Sequence, residues 1–325
     1  MADDLMTAIV VAGGKGPASA LQAAEIPRPI PAEGQVLIAV KAAGVNRPDI
    51  LQRLGYYPPP PGAPETLGLE VAGEVVQGAG RWREGDQVCA LLGGGGYAAF
   101  AVCDARHALP IPEGLTLVEA ASLPETVFTV WANMFEHGAL KAGDTALIHG
   151  ATSGIGVAAI QMAKAAGARV IATSRGAAKA EQARAIGADV AIDATAEDFE
   201  AIALADGGVD VVLDMVAGPY FLKNLEALRT GGRLVHIATQ AGGVVELPIM
   251  KLMQKRRVVT GSTLRPRSAD EKARLAGEVE RVVWPWIAAG KVRPIVDHVF
   301  PLVEAAAAHA LIESDTHLGK VMLAL

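Results

Sequence analysis

The chain has 325 residues, too many for one ordinary hydrophobic core and enough for two domains. Apolar residues make up 51% and charged residues 20%, the balance of a globular chain rather than a disordered one. A formal net charge of −6 without a basic run argues against a nucleic-acid partner.

Two cysteines, Cys89 and Cys103, make neither a disulfide framework nor a Cys-x-x-Cys zinc site, which fits a reducing, cytoplasmic setting. Asp3 and Asp4 stand where a secretory leader needs basic residues, so no leader is expected. No membrane association is expected either. Thr145 to Ala163 carries no charge and is long enough to suggest a membrane span, but it holds His149, Thr152, Ser153, Gln161 and three glycines. A strand, a glycine turn and a buried helix account for it better.

The first third reads as strands and loops. Gln35 to Val40 and Leu69 to Val76 are β-rich. Between them Tyr56-Tyr57 leads into Pro58 to Pro61 and Gly62, a rigid loop, because four consecutive prolines fit neither helix nor central strand. Gly93 to Gly96 forms a second loop. From about Leu123 strands alternate with helices. Strands are expected at Thr145–His149, Arg169–Thr173, Val209–Asp214, Arg233–Ala238 and Arg257–Thr263, with helices over about 154–166 and up to about Ile186. Their continuously apolar character marks a parallel, doubly wound α/β sheet covered on both faces. A long helix to about Ala289, a strand near Ile295–Phe300, and a helix and strand ending at Leu325 follow. The expected layout is a β-rich domain over 1–123, completed by 265–325, with a nucleotide-binding domain inserted at 124–264.

His149-Gly150-Ala151-Thr152-Ser153-Gly154-Ile155-Gly156 follows a strand and opens a helix, the context in which a glycine pattern points to a dinucleotide. Small residues let the backbone and the helix N-terminus approach a pyrophosphate, and Thr152 and Ser153 add hydroxyls. His149 itself is expected to be a satisfied core residue. The second strand ends in Thr173, Ser174 and Arg175, with Lys179 a turn later and no acid for a ribose 2′-OH. Hydroxyls and cations there favour the 2′-phosphate of NADPH. Ligands bind at the carboxyl ends of such strands, so Met215 and Val216 are candidates for the adenine, and Thr239, Ser262, Thr263 and Leu264 for the nicotinamide half.

Several motifs carry a family resemblance. Asn46-Arg-Pro-Asp-Ile-Leu-Gln-Arg53, the Tyr-Pro-Pro-Pro-Pro-Gly loop, Leu67-Gly-Leu-Glu-Val-Ala-Gly73, Leu123-Pro-Glu-Thr-Val-Phe-Thr-Val-Trp131 and Ser153-Gly-Ile-Gly156 occur in order. Together they resemble the zinc-free quinone oxidoreductases of the medium-chain dehydrogenase/reductase superfamily. The nearest subgroup is that of the tumour-suppressor-inducible human enzyme, with zeta-crystallin a more distant relative. The resemblance implies a Rossmann domain inserted into a GroES-like domain, and commonly a homodimer. In the zinc-dependent relatives the first catalytic cysteine falls at Asn46, the histidine at Leu69 and the remaining cysteine near Glu125, so no metal is expected. A tyrosine that touches the adenosine phosphate in several relatives corresponds here to Ala194.

Without metal or flavin, the chemistry has to be a hydride passed from the nicotinamide to a small quinone or other electron-poor acceptor. Asn46 and Tyr57 are the expected donors to the acceptor oxygen, and by resemblance Thr129 lies near the nicotinamide. Two alternatives stand beside this reading: reduction of an activated C=C in an enoyl thioester or alkenal, and a non-catalytic NADP- or RNA-binding role known among zeta-crystallin relatives. The apolar run Val258 to Leu264 is the expected edge for a two-fold copy.

Overall fold

The computed structural model describes residues 5–325; Asp3 and Asp4, on which the leader expectation rests, lie outside the described residues. The chain forms two compact units. The first takes the residues up to Thr126, Arg265–Trp284 and Pro294–Leu325, and the second takes Val127–Leu264 and Pro285–Arg293.

In chain order the first unit begins with β1 (Leu5–Val11), β2 (Leu21–Pro27), β3 (Gln35–Val45), α1 (Arg47–Arg53), β4 (Glu70–Gln77), β5 (Gln87–Leu91), β6 (Phe100–Asp104), β7 (Ala108–Pro110) and α2 (Leu117–Ala121). The helix α3 (Pro124–Val130) leads out of it. The second unit runs β8 (Thr145–His149), α4 (Gly154–Ala165), β9 (Arg169–Ser174), α5 (Ala177–Ile186), β10 (Val190–Asp193), α6 (Phe199–Ala205), β11 (Val209–Asp214), α7 (Phe221–Ala227), β12 (Leu228–His236), α8 (Ile249–Lys255) and β13 (Val258–Gly261). Then come α9 (Ala269–Ala288), β14 (Val296–Pro301), α10 (Ala305–Ser314) and β15 (Lys320–Ala324).

The first unit is built on a sheet of order β14-β15-β3-β4-β5-β7, with β6 also paired to β3. The long β3 is central because it is apolar enough to be buried along most of its length, and it carries Val36, Ile38 and Val40 into the core with Val71 and Val75 of β4. The C-terminal strand β15 lies antiparallel on β3, Val321 opposite Val45 and Ala324 opposite Ala42. β15 thus completes a sheet that begins at β3, while β1 and β2 pair in a separate two-stranded sheet.

The second unit is a six-stranded parallel sheet of order β10-β9-β8-β11-β12-β13. The order reverses between β8 and β11, the switch point at which doubly wound sheets bind ligands. β8 is buried throughout, which explains its uncharged sequence: it has sheet on both edges and helices on both faces. The uncharged Thr145–Ala163 stretch resolves into β8, a turn and α4, and no described helix is long and apolar enough to cross a membrane.

Three boundaries differ from the sequence reading. β12 starts at Leu228 rather than Arg233, with a register irregularity against β11 that absorbs the extra residues, and it stops at His236. After α3 the backbone widens into a π-helical stretch, Trp131–His137, where Trp131 stacks on Phe135 at 4.9 Å. Residues 285–293 belong to the second unit, because Phe135 meets Trp286 at 6.0 Å and Gln161 exchanges two hydrogen bonds with the Arg293 backbone, at 2.9 and 2.7 Å.

Candidate active site

In the first unit a buried ion pair lies under the β3–α1 junction. Lys320 Nζ, on β15, donates to Glu70 Oε1 at 2.6 Å, Asn46 Oδ1 at 2.6 Å and the Val45 carbonyl at 3.1 Å, which uses all three ammonium hydrogens. Glu70 is fully buried. Its Oε1 also accepts Asn46 Nδ2 at 2.9 Å and its Oε2 accepts the Glu125 backbone N–H at 2.8 Å. Gly44 is required beside it, since a Cβ there would stand 2.0 Å from Glu70 Oε1.

Asn46 caps α1. Its backbone N–H donates to Asp49 Oδ2 at 2.8 Å, and Pro48 opens the first turn without needing a partner for a missing N–H. The side chain is nearly buried, with its oxygen held by Lys320 and its amide turned to Glu70 and, at 3.5 Å, to the Gly44 carbonyl. Asn46 therefore differs from the free donor expected from the sequence: the Lys320–Glu70 pair has taken its polar atoms.

Asp49 begins a second buried chain. Its Oδ1 accepts the Gly68 N–H at 3.0 Å, and Tyr97 Oη lies 3.3 Å from Oδ2. His309 Nε2 is 3.1 Å from Tyr97 Oη, and Arg53 Nη1 is 3.2 Å from His309 Nδ1. A guanidinium only donates, so Nδ1 accepts, Nε2 carries the imidazole proton, and the donors run Arg53 to His309 to Tyr97 to Asp49. Burial, helped by the Arg53 charge, holds His309 neutral with its pKa down to about 3. Burial also pushes Asp49 up to about 6 against the pull of its two backbone donors. Arg53 closes the chain on Glu313 with contacts of 2.6 and 3.2 Å.

Around this floor stand Tyr57, Glu125, Arg265 and Lys272. Tyr57 is half-buried in the proline loop, and burial raises its pKa, with the Glu125 charge adding to it and Arg265 opposing. The Arg265 guanidinium lies 5.6 Å from the Tyr57 ring centre. Its Nε donates to the Gly93 carbonyl at 2.8 Å, while Nη2 is buried without a partner. Lys272 donates to the Arg265 carbonyl at 2.7 Å. Glu125 is half-buried, and burial first, then the Glu70 charge, pushes it up to about 8. Sequence reading missed Asp49, Glu70, Arg265, Lys272 and Lys320 as site residues. Asp49 and Glu70 stood inside two of the quoted motifs; the others had no local signal.

In the second unit the turn after β8 has the geometry a pyrophosphate needs. Ser153 caps α4, its Oγ accepting the Gly156 N–H at 3.0 Å and donating to the Gly150 carbonyl at 2.8 Å. A Cβ on Gly156 would come within 2.2 Å of the Gly150 carbonyl oxygen, so only glycine lets the helix approach the turn this closely. Helix geometry leaves the N–H groups of Gly154 and Ile155 outside the intrahelical ladder, available to an anion. Met215 packs beside Ser153, its Sδ 3.9 Å from Oγ, and Val216 follows half-buried, its N–H donating to Asp214 Oδ1 at 2.6 Å. Thr152 is buried, Thr129 half-buried, Thr239 and Thr263 exposed, and Leu264 buried. Ser262 donates to Asn133 Oδ1 at 2.8 Å.

At the end of β9 Ser174 carries a buried hydroxyl without a hydrogen-bond partner, Arg175 is exposed and Lys179 half-buried. Thr173 faces elsewhere: its hydroxyl lies 2.8 Å from His149 Nδ1, because successive strand residues point to opposite faces. His149 is fully buried, with Nε2 2.7 Å from Asn224 Oδ1, and Asn224 Nδ2 donates to Asp214 Oδ2 at 3.0 Å. His149 is thus the satisfied core residue expected. Asp193, at the end of β10, is occupied by donors from Gly176 and Thr195.

These two constellations are those of a nicotinamide-dependent oxidoreductase with a GroES-like and a Rossmann-like unit. Family models agree: residues 32–113 match the alcohol dehydrogenase GroES-like domain, and residues 186–323 match a family described as zinc-binding dehydrogenase. A rat quinone oxidoreductase is 32% identical over 329 residues, covering 99% of this chain and 98% of that one. The chain therefore belongs to the quinone oxidoreductase family of the medium-chain dehydrogenase/reductases. A Mycobacterium tuberculosis mycocerosic acid synthase-like polyketide synthase is also 32% identical, over 95% of this chain but 15% of that protein. Among solved structures, a mycobacterial protein complexed with NADPH superposes with a TM-score of 0.86 at 29% identity, covering 98% of this chain and all of the other. An NAD-dependent alcohol dehydrogenase also reaches 0.86, at 30% identity over 98% of this chain and all of the other.

The buried pair makes a direct prediction. Lys320→Met leaves the Glu70 carboxylate buried and uncompensated, which should cost about 3–5 kcal/mol in denaturant unfolding. Adding Glu70→Gln should recover much of that loss. Additive effects of the two substitutions would show that the pair is not a unit.

Proposed function

We propose that the protein reduces quinones with electrons from NADPH and without a metal. The cofactor preference rests on one observation: β9 ends in an unpartnered Ser174 hydroxyl followed by Arg175, with Lys179 a turn along α5 and no carboxylate on the strand end. A hydroxyl and a guanidinium suit a 2′-phosphate, whereas an NAD site places an acid there. Gly154 and Ile155, with Thr152, are assigned to the pyrophosphate; Met215 and Val216 to the adenine; Thr129, Thr239, Ser262, Thr263 and Leu264 to the nicotinamide half. The NADPH complex of the mycobacterial neighbour is consistent with this assignment.

A bound nicotinamide supplies the hydride. The chain's own residues have to orient the acceptor and answer the negative charge that grows on its oxygen. Tyr57 is proposed as the direct donor. Asn46 is proposed as a positioning residue, because its amide is already committed.

Zinc does not fit this donor set. Leu69 is a buried hydrocarbon, and the Asn46 oxygen is taken by the Lys320 ammonium at 2.6 Å. Zinc favours nitrogen and sulfur ligands, and an ammonium beside the ligand oxygen would repel it. The buried, unpaired thiols of Cys89 and Cys103 also suit a reducing compartment, which supports a cytoplasmic location. Activated C=C reduction is the second reading, favoured by the equal identity to a stretch of a polyketide synthase.

The test is steady-state turnover of a benzoquinone, a naphthoquinone and a crotonyl thioester, each with NADPH and NADH, by metal-free protein. Quinone turnover with NADPH should persist under a strong chelator, and Tyr57→Phe should lower kcat/KM roughly 10-fold. Faster turnover of the thioester would favour the second reading; turnover that needs stoichiometric zinc would overturn the metal-free one.

For the cofactor, Arg175→Ala should weaken NADPH binding about 10- to 100-fold, the loss of one charge-assisted contact, and leave NADH nearly unchanged. Lys179→Ala should do less. Equal losses for both nucleotides would mean that Arg175 does not read the phosphate.

The homodimer is proposed from an edge. β13 ends the parallel sheet, with Val258, Val259 and Thr260 half-exposed, and α8 nearby in sequence exposes Ile249, Met250 and Met253. An apolar strand edge is stabilised by a two-fold copy. Light scattering should give twice the 33.5 kDa chain mass, and a Thr260→Pro variant should shift toward monomer. A concentration-independent wild-type monomer would refute it.

A further inference from the structure

We propose that Glu125 is the catalytic acid, delivering the proton that reduction of the acceptor consumes. The assignment rests on the oxidoreductase reading above and names a residue in the first unit's cluster.

Glu125 lies in the first turn of α3. Its backbone N–H is anchored on Glu70 Oε2 at 2.8 Å, which fixes the residue next to a buried carboxylate. Its own carboxyl makes no hydrogen bond or ion pair with any described residue, yet it is only half-buried and so keeps access to water. The charged groups that act on it come from four elements: Glu70 of β4, Lys320 of β15, Asp49 of α1 and Lys272 of α9. Its charge is felt in turn by Tyr57 and Arg265.

The cations are committed elsewhere. Lys320 spends its three hydrogens on Glu70, Asn46 and Val45. Lys272 donates to the Arg265 carbonyl, and Arg265 donates to Gly93. Glu125 is therefore a carboxyl beside two carboxylates without a cation of its own. Burial and the Glu70 charge keep its proton on, up to about pH 8. A neutral carboxylic acid at neutral pH is a general acid, and its neighbour Tyr57 is a phenol that also holds its proton.

The acceptor gains two electrons and one hydrogen as the hydride, and its oxygen becomes anionic. The Glu125 O–H bond breaks as a new O–H bond forms on that oxygen, directly or through the Tyr57 hydroxyl. The carboxylate left behind is reprotonated from water, which its incomplete burial permits. One hydride and one proton make the reduced product.

The protonated form is the active one, so wild-type kcat/KM for the quinones should be level below about pH 7 and fall as pH rises through about 8. Glu125→Gln should lower kcat/KM roughly 100-fold at pH 6.5, the scale of one general acid, and abolish the pH dependence. Glu125→Asp should keep the descending limb. The NADPH dissociation constant should be unchanged in both variants, which separates loss of the acid from loss of fold. Infrared difference spectra of the full chain give a readout independent of turnover: a protonated carboxyl band should titrate near pH 8 in wild type and be missing from Glu125→Gln. A wild-type rate and pH profile in Glu125→Gln, or no carboxyl titrating near pH 8, would overturn the assignment while leaving the oxidoreductase reading intact. Wild-type protein that turns over none of the acceptors would sink that reading and the acid with it.

Discussion

One ammonium organises the first unit. Lys320 enters on the C-terminal strand β15, and its partner Glu70 is 250 residues away in the chain. Burying both charges is tolerable because all three ammonium hydrogens of Lys320 are used and the two oxygens of Glu70 accept three hydrogen bonds. The consequences spread outward. Gly44 has to be glycine to admit the carboxylate, Asn46 has its amide orientation fixed, and α3 is tethered through the Glu125 N–H.

Burial raises the pKa values of the neighbouring carboxyls, and the charges of the pair modify them. Three carboxyls, Glu70, Asp49 and Glu125, share the charge of Lys320. Glu70 is bound to it directly. Asp49 is compensated by the N–H groups of Asn46 and Gly68 and by the Tyr97 hydroxyl at the end of the Arg53–His309 chain. Glu125 has neither, and burial with a carboxylate beside it moves the proton onto it. Glu125 and Asp49 both have folded pKa values raised above their unfolded ones, so they stabilise the fold below the unfolded values, and that contribution is lost as pH rises through about 6 for Asp49 and about 8 for Glu125. Glu125 is not fully buried, and solvent screening reduces its share.

How much of this was legible depends on the range of the contacts. The parallel sheet, the Gly-rich turn and the proline loop were readable because each depends on a few neighbouring residues and on period. The return of the chain to the first sheet was readable as a layout, but not the seating of Lys320 on Glu70, since nothing local distinguishes that lysine from a surface one. Asn46 reads as a free donor in the sequence, but its side chain's direction depends on the distant pair. Thr173 was grouped with Ser174 because both end β9. One residue of strand register sends Thr173 to the His149–Asn224–Asp214 network and leaves the Ser174 hydroxyl unpartnered. The π-helical Trp131–His137 had no sequence mark, and its Phe135 meets Trp286, a residue far along the chain.

The fate of the zinc-ligand positions links these points to chemistry. In zinc-dependent relatives a metal with an open coordination position can polarise an acceptor. Here a cation is also present beside Asn46, but it is an ammonium whose donors are all spent on protein oxygens. It cannot open a position, so it can only hold Asn46 and Glu70 in place. Stabilisation of a developing oxyanion has to come from groups that still have a proton to give. The first unit retains such groups: the Tyr57 hydroxyl, held protonated by burial, and the Glu125 carboxyl, held protonated by burial and by the Glu70 charge beside it. In the proposed metal-free reaction, a fixed ammonium in place of a metal shifts the work from Lewis acidity to proton donation. It also requires the acid to sit close to a carboxylate, since without Glu70 charged beneath it Glu125 would ionise at lower pH and lose its proton before the acceptor needed it.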